Sequence, residues 1–356
     1  MRRTQPVKIY QMLFRGFHKY KSVLFTVVLG GAGALGVFWI GSEHAEFPKS
    51  WPKPRHKMLK TDSAWFNFGR VLFYDTHLSR DQKISCASCH QSATAFAHVD
   101  HRLSHGIDDQ VGTRNAPALF NLLWFKSFMW DGSAKTLIDQ IQIPISHPAE
   151  MDFSLSQIIR YVQTDSLYTV HLQRTGLTSE KLSKFHVLKA LEHFVSHLIS
   201  ANSKYDRVLS GQTNFNSDET SGYHLYKTYC ASCHTEPLMT RGDFAQNFLP
   251  LNPSLNDSGK FKLTRKPEDL MQFKIPSLRN LSFSFPYMHD GRFQSLREVL
   301  RHYRTGLGKN VYKNKIRPYT LEEEDRLLAF LLCLNDTFFV RQPVYKVPKS
   351  IIFRGK

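Results

Sequence analysis

The chain has 356 residues, 42% of them hydrophobic, and a formal net charge of +17, so it is long enough for two modest domains with their own cores. The charge does not describe a nucleic-acid surface: residues 1–22 hold six Lys/Arg and residues 337–356 hold five, with no acid in either stretch. Those eleven cations leave about +6 for the body, close to neutral for its size.

The N-terminal basic tail, residues 1–22, carries Arg2, Arg3, Lys8, Arg15, Lys19 and Lys21. No charged residue lies between Lys21 and Glu43. The apolar stretch 23–41 is long enough to span a bilayer, and the basic residues before it place the N-terminus in the cytoplasm. A cleaved signal peptide is the rival reading, although its basic region would be long and no clear A-x-A site follows. On the first reading the remainder faces the periplasm from an inner-membrane anchor; on the second it is soluble there. Residues 42–60, with Pro48, Pro52 and Pro54, read as a linker.

The first unit, residues 61–200, opens with Asp62 or Ser63 capping a short helix that carries Trp65, Phe66, Val71, Leu72 and Phe73. The loop containing Cys86-Ala87-Ser88-Cys89-His90 follows, then a second loop, residues 96–117, rich in Gly, Asp and His. A short helix is predicted near residues 134–141, a turn at Pro144 and Pro148, and a helix around residues 155–162. Residues 184–200 have the clearest helical period, with Val187, Leu188, Leu191, Phe194, Val195 and Leu198 on one stripe. Ala201-Asn202-Ser203 marks the junction to a second unit, residues 201–338.

That unit repeats the plan. A helix at residues 223–229 precedes Cys230-Ala231-Ser232-Cys233-His234, and a Pro/Asn-rich loop runs to Asn280. Helices at residues 295–304 and 320–334 complete it, and residues 339–356 form a second basic tail. C-x-x-C-H is the attachment signature of c-type haem: two thiols add to the vinyl groups and the His becomes the proximal iron ligand. A redox C-x-x-C or half a zinc site uses similar pairs, but the same five residues twice point to two covalently bound haems c. Cys333, left over after an apolar run, reads as a buried core thiol. Long alternating runs are absent, which argues against a β-sandwich or parallel sheet. The expected fold is mostly α: two tandem cytochrome-c-like haem domains behind an N-terminal transmembrane anchor.

Further residues carry a resemblance. They are Leu72-Phe73-Tyr74-Asp75 with Leu78-Ser79, Gly112-Thr113-Arg114-Asn115-Ala116-Pro117 and Trp130-Asp131-Gly132, then Gln140, Pro144, Pro148 and Glu150-Met151. Pro276-Ser277-Leu278-Arg279-Asn280 and Pro286-Tyr287-Met288-His289-Asp290-Gly291 complete the set. From about Leu72 to Asp336 the chain resembles the bacterial di-haem cytochrome c peroxidase family, which includes the MauG-type enzymes. The resemblance implies a peroxidatic haem in the first unit, ligated by His90, and an electron-transfer haem in the second, ligated by His234. It implies Glu150 as distal acid/base with Gln140 beside it, and Trp130 as an indole relay between the haems. Asn115, Ser284 and Pro286 match the family's inter-haem calcium ligands, one side-chain oxygen and two backbone carbonyls, with Ser284 in place of a usual Thr.

Two departures stand out. Many family peroxidases have a loop His that blocks the first haem; here the loop offers His98, His101 and His105, and His105 lies one position off register, so a solvated loop His is the default reading. The usual Met ligand of the second haem falls at Tyr303, the MauG arrangement. Tyr303 shares a helix face with Leu296 and Val299, and a packed core Tyr with His302 or Met288 as the ligand is the other reading. The activity implied is reduction of hydrogen peroxide to water with electrons from a small cytochrome c or cupredoxin. The alternatives are a MauG-type enzyme that oxidises residues of a partner protein and, outside enzymes, a di-haem electron carrier. Family members often pair as homodimers, but no stretch of this sequence specifies that contact.

Overall fold

Helix α1 (Ser63–Tyr74) starts where the sequence supplies a cap: the Asp62 carboxylate accepts from Ala64 N at 2.9 Å and Trp65 N at 3.3 Å. The computed structural model describes residues 47–306 and 317–352. Among the described residues there are thirteen α-helices and a single two-stranded sheet, so the architecture is mostly helical. None of these helices is long and apolar enough to cross a membrane. The proposed tail and anchor, residues 1–41, lie outside the described residues. Residues 47–60, read as a linker, run along the first core: Trp51 is buried against Trp124, and Arg55 N and His56 N both donate to Leu123 O.

After α1 come the single turn α2 (Cys86–Cys89), then α3 (Leu137–Ser146), α4 (Leu155–Thr164), α5 (Ser166–Thr175) and α6 (Lys184–Ser196). Helix α1 lies across α6, and the crossing is closest at Gly69, where an added Cβ would stand 1.8 Å from Ala190 O. Phe68, Val71, Leu72, Phe73 and Phe194 fill the space between them; each such side chain contributes roughly 1.5–3 kcal/mol of burial. The second half uses the same device. Helices α7 (Lys204–Leu209), α8 (Ser217–Tyr229), α9 (Phe261–Thr264), α10 (Leu296–Gly306) and α11 (Leu321–Leu332) follow. Helix α8 crosses α11 at Gly222, whose Cβ would lie 1.9 Å from Arg326 O, over a core of Tyr226, Leu327, Phe330 and Leu331. The basic C-terminal tail carries α12 (Thr337–Arg341) and α13 (Lys349–Ile352) and packs back on the first core through Phe339 and Val340.

Two of the differences from the sequence expectation lie close to the site. The helix expected to stop near residue 141 runs on through Pro144 to Ser146. Pro144 donates no hydrogen bond, so its cost is the loss of one ladder bond to Gln140 O. The turn follows instead, with Met151 N donating to Pro144 O at 3.2 Å and Phe153 N to Ile145 O at 2.8 Å. The loop to Asn280 also contains a short antiparallel pair, β1 (Phe244–Gln246) and β2 (Gln272–Lys274), with Phe244 opposite Lys274.

Candidate active site

The two Cys-Ala-Ser-Cys-His stretches fold alike. His90 N donates to Cys86 O, and His234 N to Cys230 O, each at 2.9 Å. In the first, Ser88 caps the turn by accepting from Ser85 N at 3.0 Å. His90 Nδ1 lies 2.9 Å from Phe96 O; His234 Nδ1 lies 3.2 Å from Met239 O and 3.1 Å from Pro276 O. A carbonyl only accepts, so Nδ1 carries the proton in both rings and Nε2 is the atom each presents to a metal. Burial lowers the pKa of both histidines to about 4, which keeps them in the neutral, ligating form. Paired thiols followed by a ring fixed in this tautomer fit covalent haem at both places.

Beside His90 opens a cavity of about 400 Å³, within the range of cofactor pockets, roughly 300–1,000 Å³. Cys89, His90, Gln140 and Glu150 line it, and so does Trp130. The reversal after Pro144 explains how Gln140 and Glu150 meet although ten positions separate them: the chain leaves α3, turns at His147, where Glu150 N donates to His147 O at 3.0 Å, and comes back. Gly106 packs on this turn, with Ile107 N donating to Glu150 O at 2.9 Å. Burial raises the Glu150 carboxyl above its ordinary range, opposed by His147, whose Nδ1 is 4.0 Å away. A carboxyl so placed suits proton transfer.

Trp130 Nε1 donates to Asn115 O at 2.8 Å. Asn115, Ser284 and Pro286 line the same cavity. Asn115 Nδ2 donates to Arg102 O at 3.2 Å, which leaves Oδ1 as the oxygen a cation would use. Among the described residues no cluster of three His, Cys, Asp or Glu side chains is arranged to hold a metal ion, so a cation there would rest on amide and carbonyl oxygens. His105 is half-buried, its ring stacked on His101 at 4.2 Å, and it lines a smaller cavity with Cys86 and Glu150. His98 Nε2 lies 3.4 Å from His101 Nδ1.

Of the residues read as candidate ligands of the second haem, His302 Nε2 donates to Asn247 O at 2.8 Å and Met288 Sδ accepts from Asn247 Nδ2 at 3.6 Å. Tyr303 is half-buried on α10 beside His302, their rings 5.4 Å apart.

A family model for di-haem cytochrome c peroxidase matches residues 63–214. The methylamine utilization protein MauG of Methylorubrum extorquens is 32% identical over 302 residues, spanning 81% of this chain and 82% of that protein. The chain belongs to the di-haem cytochrome c peroxidase family. The cytochrome c551 peroxidase of Nitrosomonas europaea is 30% identical over 285 residues, spanning 79% of this chain and 81% of that one. A crystal structure of a MauG-like protein associated with microbial copper homeostasis superposes with a TM-score of 0.77 at 27% identity, covering 86% of this chain and 99% of that one. As a member of this family the chain is a haem peroxidase that carries two c-type haems.

Two arginines of the sequence motifs are fixed by partners that the sequence does not reveal. Arg114 forks between two carboxylates: Nη1 donates to Asp131 Oδ2 at 2.7 Å, Nε to Asp257 Oδ2 at 2.6 Å and Nη2 to Asp257 Oδ1 at 2.9 Å. This ties the turn holding Trp130 to the second half of the chain. Burial alone would raise Asp131 and Asp257; the guanidinium outweighs it and holds both below the ordinary range. Arg279, fully buried, is bidentate to Asp206 at 2.8 and 2.7 Å and donates from Nε to Pro237 O at 3.0 Å, three residues after His234. The motif residues Arg114 and Arg279 were visible in sequence. Asp257 and Asp206, 143 and 73 positions away from them, were not.

Proposed function

We propose that the chain reduces hydrogen peroxide to two water molecules, drawing two electrons from a small exported cytochrome c or cupredoxin and two protons from solvent. Residues 61–200 form the peroxidatic module and residues 201–338 the electron-transfer module. The observation that carries the reading is the convergence of His90, Gln140 and Glu150 on one cavity. Cys86, Cys89 and His90 would hold the first haem and Cys230, Cys233 and His234 the second; when bound, these groups supply the iron that takes up peroxide and the iron that relays electrons.

Glu150 would take a proton from one peroxide oxygen and return it to the other, the one that departs as water. Gln140 hydrogen-bonds peroxide without titrating, and Trp130 provides an oxidisable indole between the modules. Asn115 with the carbonyls of Ser284 and Pro286 would take a calcium ion. The apolar stretch 23–41 behind its basic tail supports export and an inner-membrane tether. Steady-state peroxide turnover with reduced cytochrome c, with and without added calcium, tests this reading; no turnover with any small reduced donor would overturn it.

The second reading is the MauG-type reaction, oxidation of residues in a partner protein. It is favoured by two MauG relatives at 32% and 31% identity and by Tyr303 at the place of the second haem's usual ligand. Met288 Sδ is engaged with Asn247 Nδ2, whereas His302, whose Nε2 donates to Asn247 O, keeps Nδ1 as a rival donor. A phenolate donates charge to oxidised iron, whereas a thioether raises the potential. Tyr303→Met should therefore raise the midpoint potential of the second haem in a redox titration and strengthen donor-fed peroxidase behaviour. An unchanged potential would make Tyr303 a packing residue.

A further inference from the structure

Lys274 ends β2 in the wall between the two haem-attachment sequences. Its backbone N–H donates to Trp130 O at 2.7 Å, and two residues later Pro276 O accepts from His234 Nδ1 at 3.1 Å. The residue is 9% exposed and lines the cavity that also holds His90, Gln140 and Trp130. Its ammonium sits over two phenyl rings, 4.8 Å from the Phe125 centroid and 5.9 Å from that of Phe128.

The other cations on this wall are all committed. Arg114 is shared between Asp131 and Asp257, and Arg279 is taken by Asp206 and Pro237 O. Lys274 differs: among the described residues no ion pair or hydrogen bond joins its Nζ to a partner. The carboxylate whose charge reaches it, Asp131, has its oxygens occupied by Arg114 at 2.7 Å and by Ser133 N at 3.0 Å. Two phenyl faces offset only part of the cost of an enclosed ammonium, and buried charges are ordinarily paired. Burial accordingly pushes the Lys274 pKa down to about 8, with Asp131 opposing the fall.

What the protein chain lacks at this point, the cofactors bring. Each haem c carries two propionate carboxylates, and this cavity is where the first haem's His, the relay indole and the loop under the second haem's His come together. We propose that Lys274 is the counter-ion of a haem propionate in the wall between the two haems, and thereby a positioning residue that sets the reduction potential of that haem. The proposal rests on the di-haem reading given above. With the ammonium in place, the propionate's charge is cancelled close to the iron. Without it, the uncompensated carboxylate stabilises the ferric form, and burial raises the carboxylate's own pKa, so that the potential becomes dependent on pH.

The test uses holoprotein of the full chain. Covalent haem is first counted by pyridine haemochrome; fewer than two haems in the wild type would be a failure of the di-haem reading and is seen separately. Midpoint potentials of both haems are then measured by spectroelectrochemistry from about pH 6 to about pH 9, spanning the ordinary His range and the lowered Lys274 range, in wild type, Lys274→Met and Lys274→Arg. One potential should fall in Lys274→Met and acquire a slope with pH, while Lys274→Arg stays near wild type because a guanidinium also pairs with a carboxylate. Unchanged potentials and slopes in Lys274→Met would overturn the proposal. If Lys274→Met does not fold, wild type and Lys274→Arg decide. Potentials flat through about pH 8 in both support the pair, and a wild-type step near that value that disappears in Lys274→Arg would show a free ammonium and overturn it.

Discussion

Asn121 and Asn280 each enter a 3-10 turn in the left-handed region, at φ 54° and 61°. Eight residues after each, Met129 and Met288 take the same handedness, at φ 63° and 76°. Bridges Phe128–Ala134 and Tyr287–Phe293 then close around Asp131-Gly132 and Asp290-Gly291. Between Met and Asp stands Trp130 in the first copy and His289 in the second. Trp130 lines the cavity; His289 is 2% exposed, stacked on Phe273 at 3.7 Å, and burial holds its pKa down to about 4. The copies meet at Asn115, whose carbonyl accepts from Trp130 Nε1 and whose N–H donates to His289 O, both at 2.8 Å. The backbone loop is therefore a mount used twice. The residue it displays decides whether that side of the molecule offers an oxidisable group or a packed one.

The contrast breaks most sharply at the haems themselves. Changing Cys86 and Cys89 to Ser should remove one of two covalent haems and abolish peroxide turnover. Changing Cys230 and Cys233 should also remove one haem, yet leave peroxide reacting at the first. Equal phenotypes would erase the division of labour.

Next in size is Glu150→Gln, with an expected loss of at least about 10²-fold in kcat/KM and both haem spectra unchanged. The wild-type profile should carry a matching signature. Because burial raises the Glu150 carboxyl, its basic form appears only above the ordinary carboxylate range, so kcat/KM should climb with rising pH through that elevated value. In Glu150→Gln that limb should vanish; a limb that persists belongs to another group.

The smallest effect concerns the two loop centres. Trp130→Phe should slow electron sharing between the haems in stopped-flow spectra, while His289→Gln should leave that rate near wild type and lower the thermal midpoint instead. If the two variants exchange these behaviours, the relay runs through the second loop.

Local signals made much of this legible. The Asp62 cap, the apolar stripe on α6 and the closing helix α11 all stand where the sequence puts them, because each is set within a few residues. Helix α5 was missed: its composition is mixed and only Tyr168 and Leu172 are buried. Each strand of the small sheet is three residues long, too short for an alternation to register. At the site, Glu150, Gln140 and Trp130 were named from their motif, and the structure brings all three to one cavity. The burial of Lys274 had no local signal, because it depends on Phe125 and Phe128, some 150 positions away in sequence.

The packing of α12 and the residues beyond it on the first core has a consequence for the order of biosynthesis. Phe339 is 1% exposed against Phe96 and Phe120, Tyr345 Oη donates to His197 O at 3.0 Å, and Arg70 Nε donates to Lys346 O at 2.7 Å. A nascent chain exposes Cys86 and Cys89 well before those residues have been translated. The unfinished chain therefore presents its first pair of thiols before the C-terminal segment arrives to pack Phe339 on Phe96, six residues after His90.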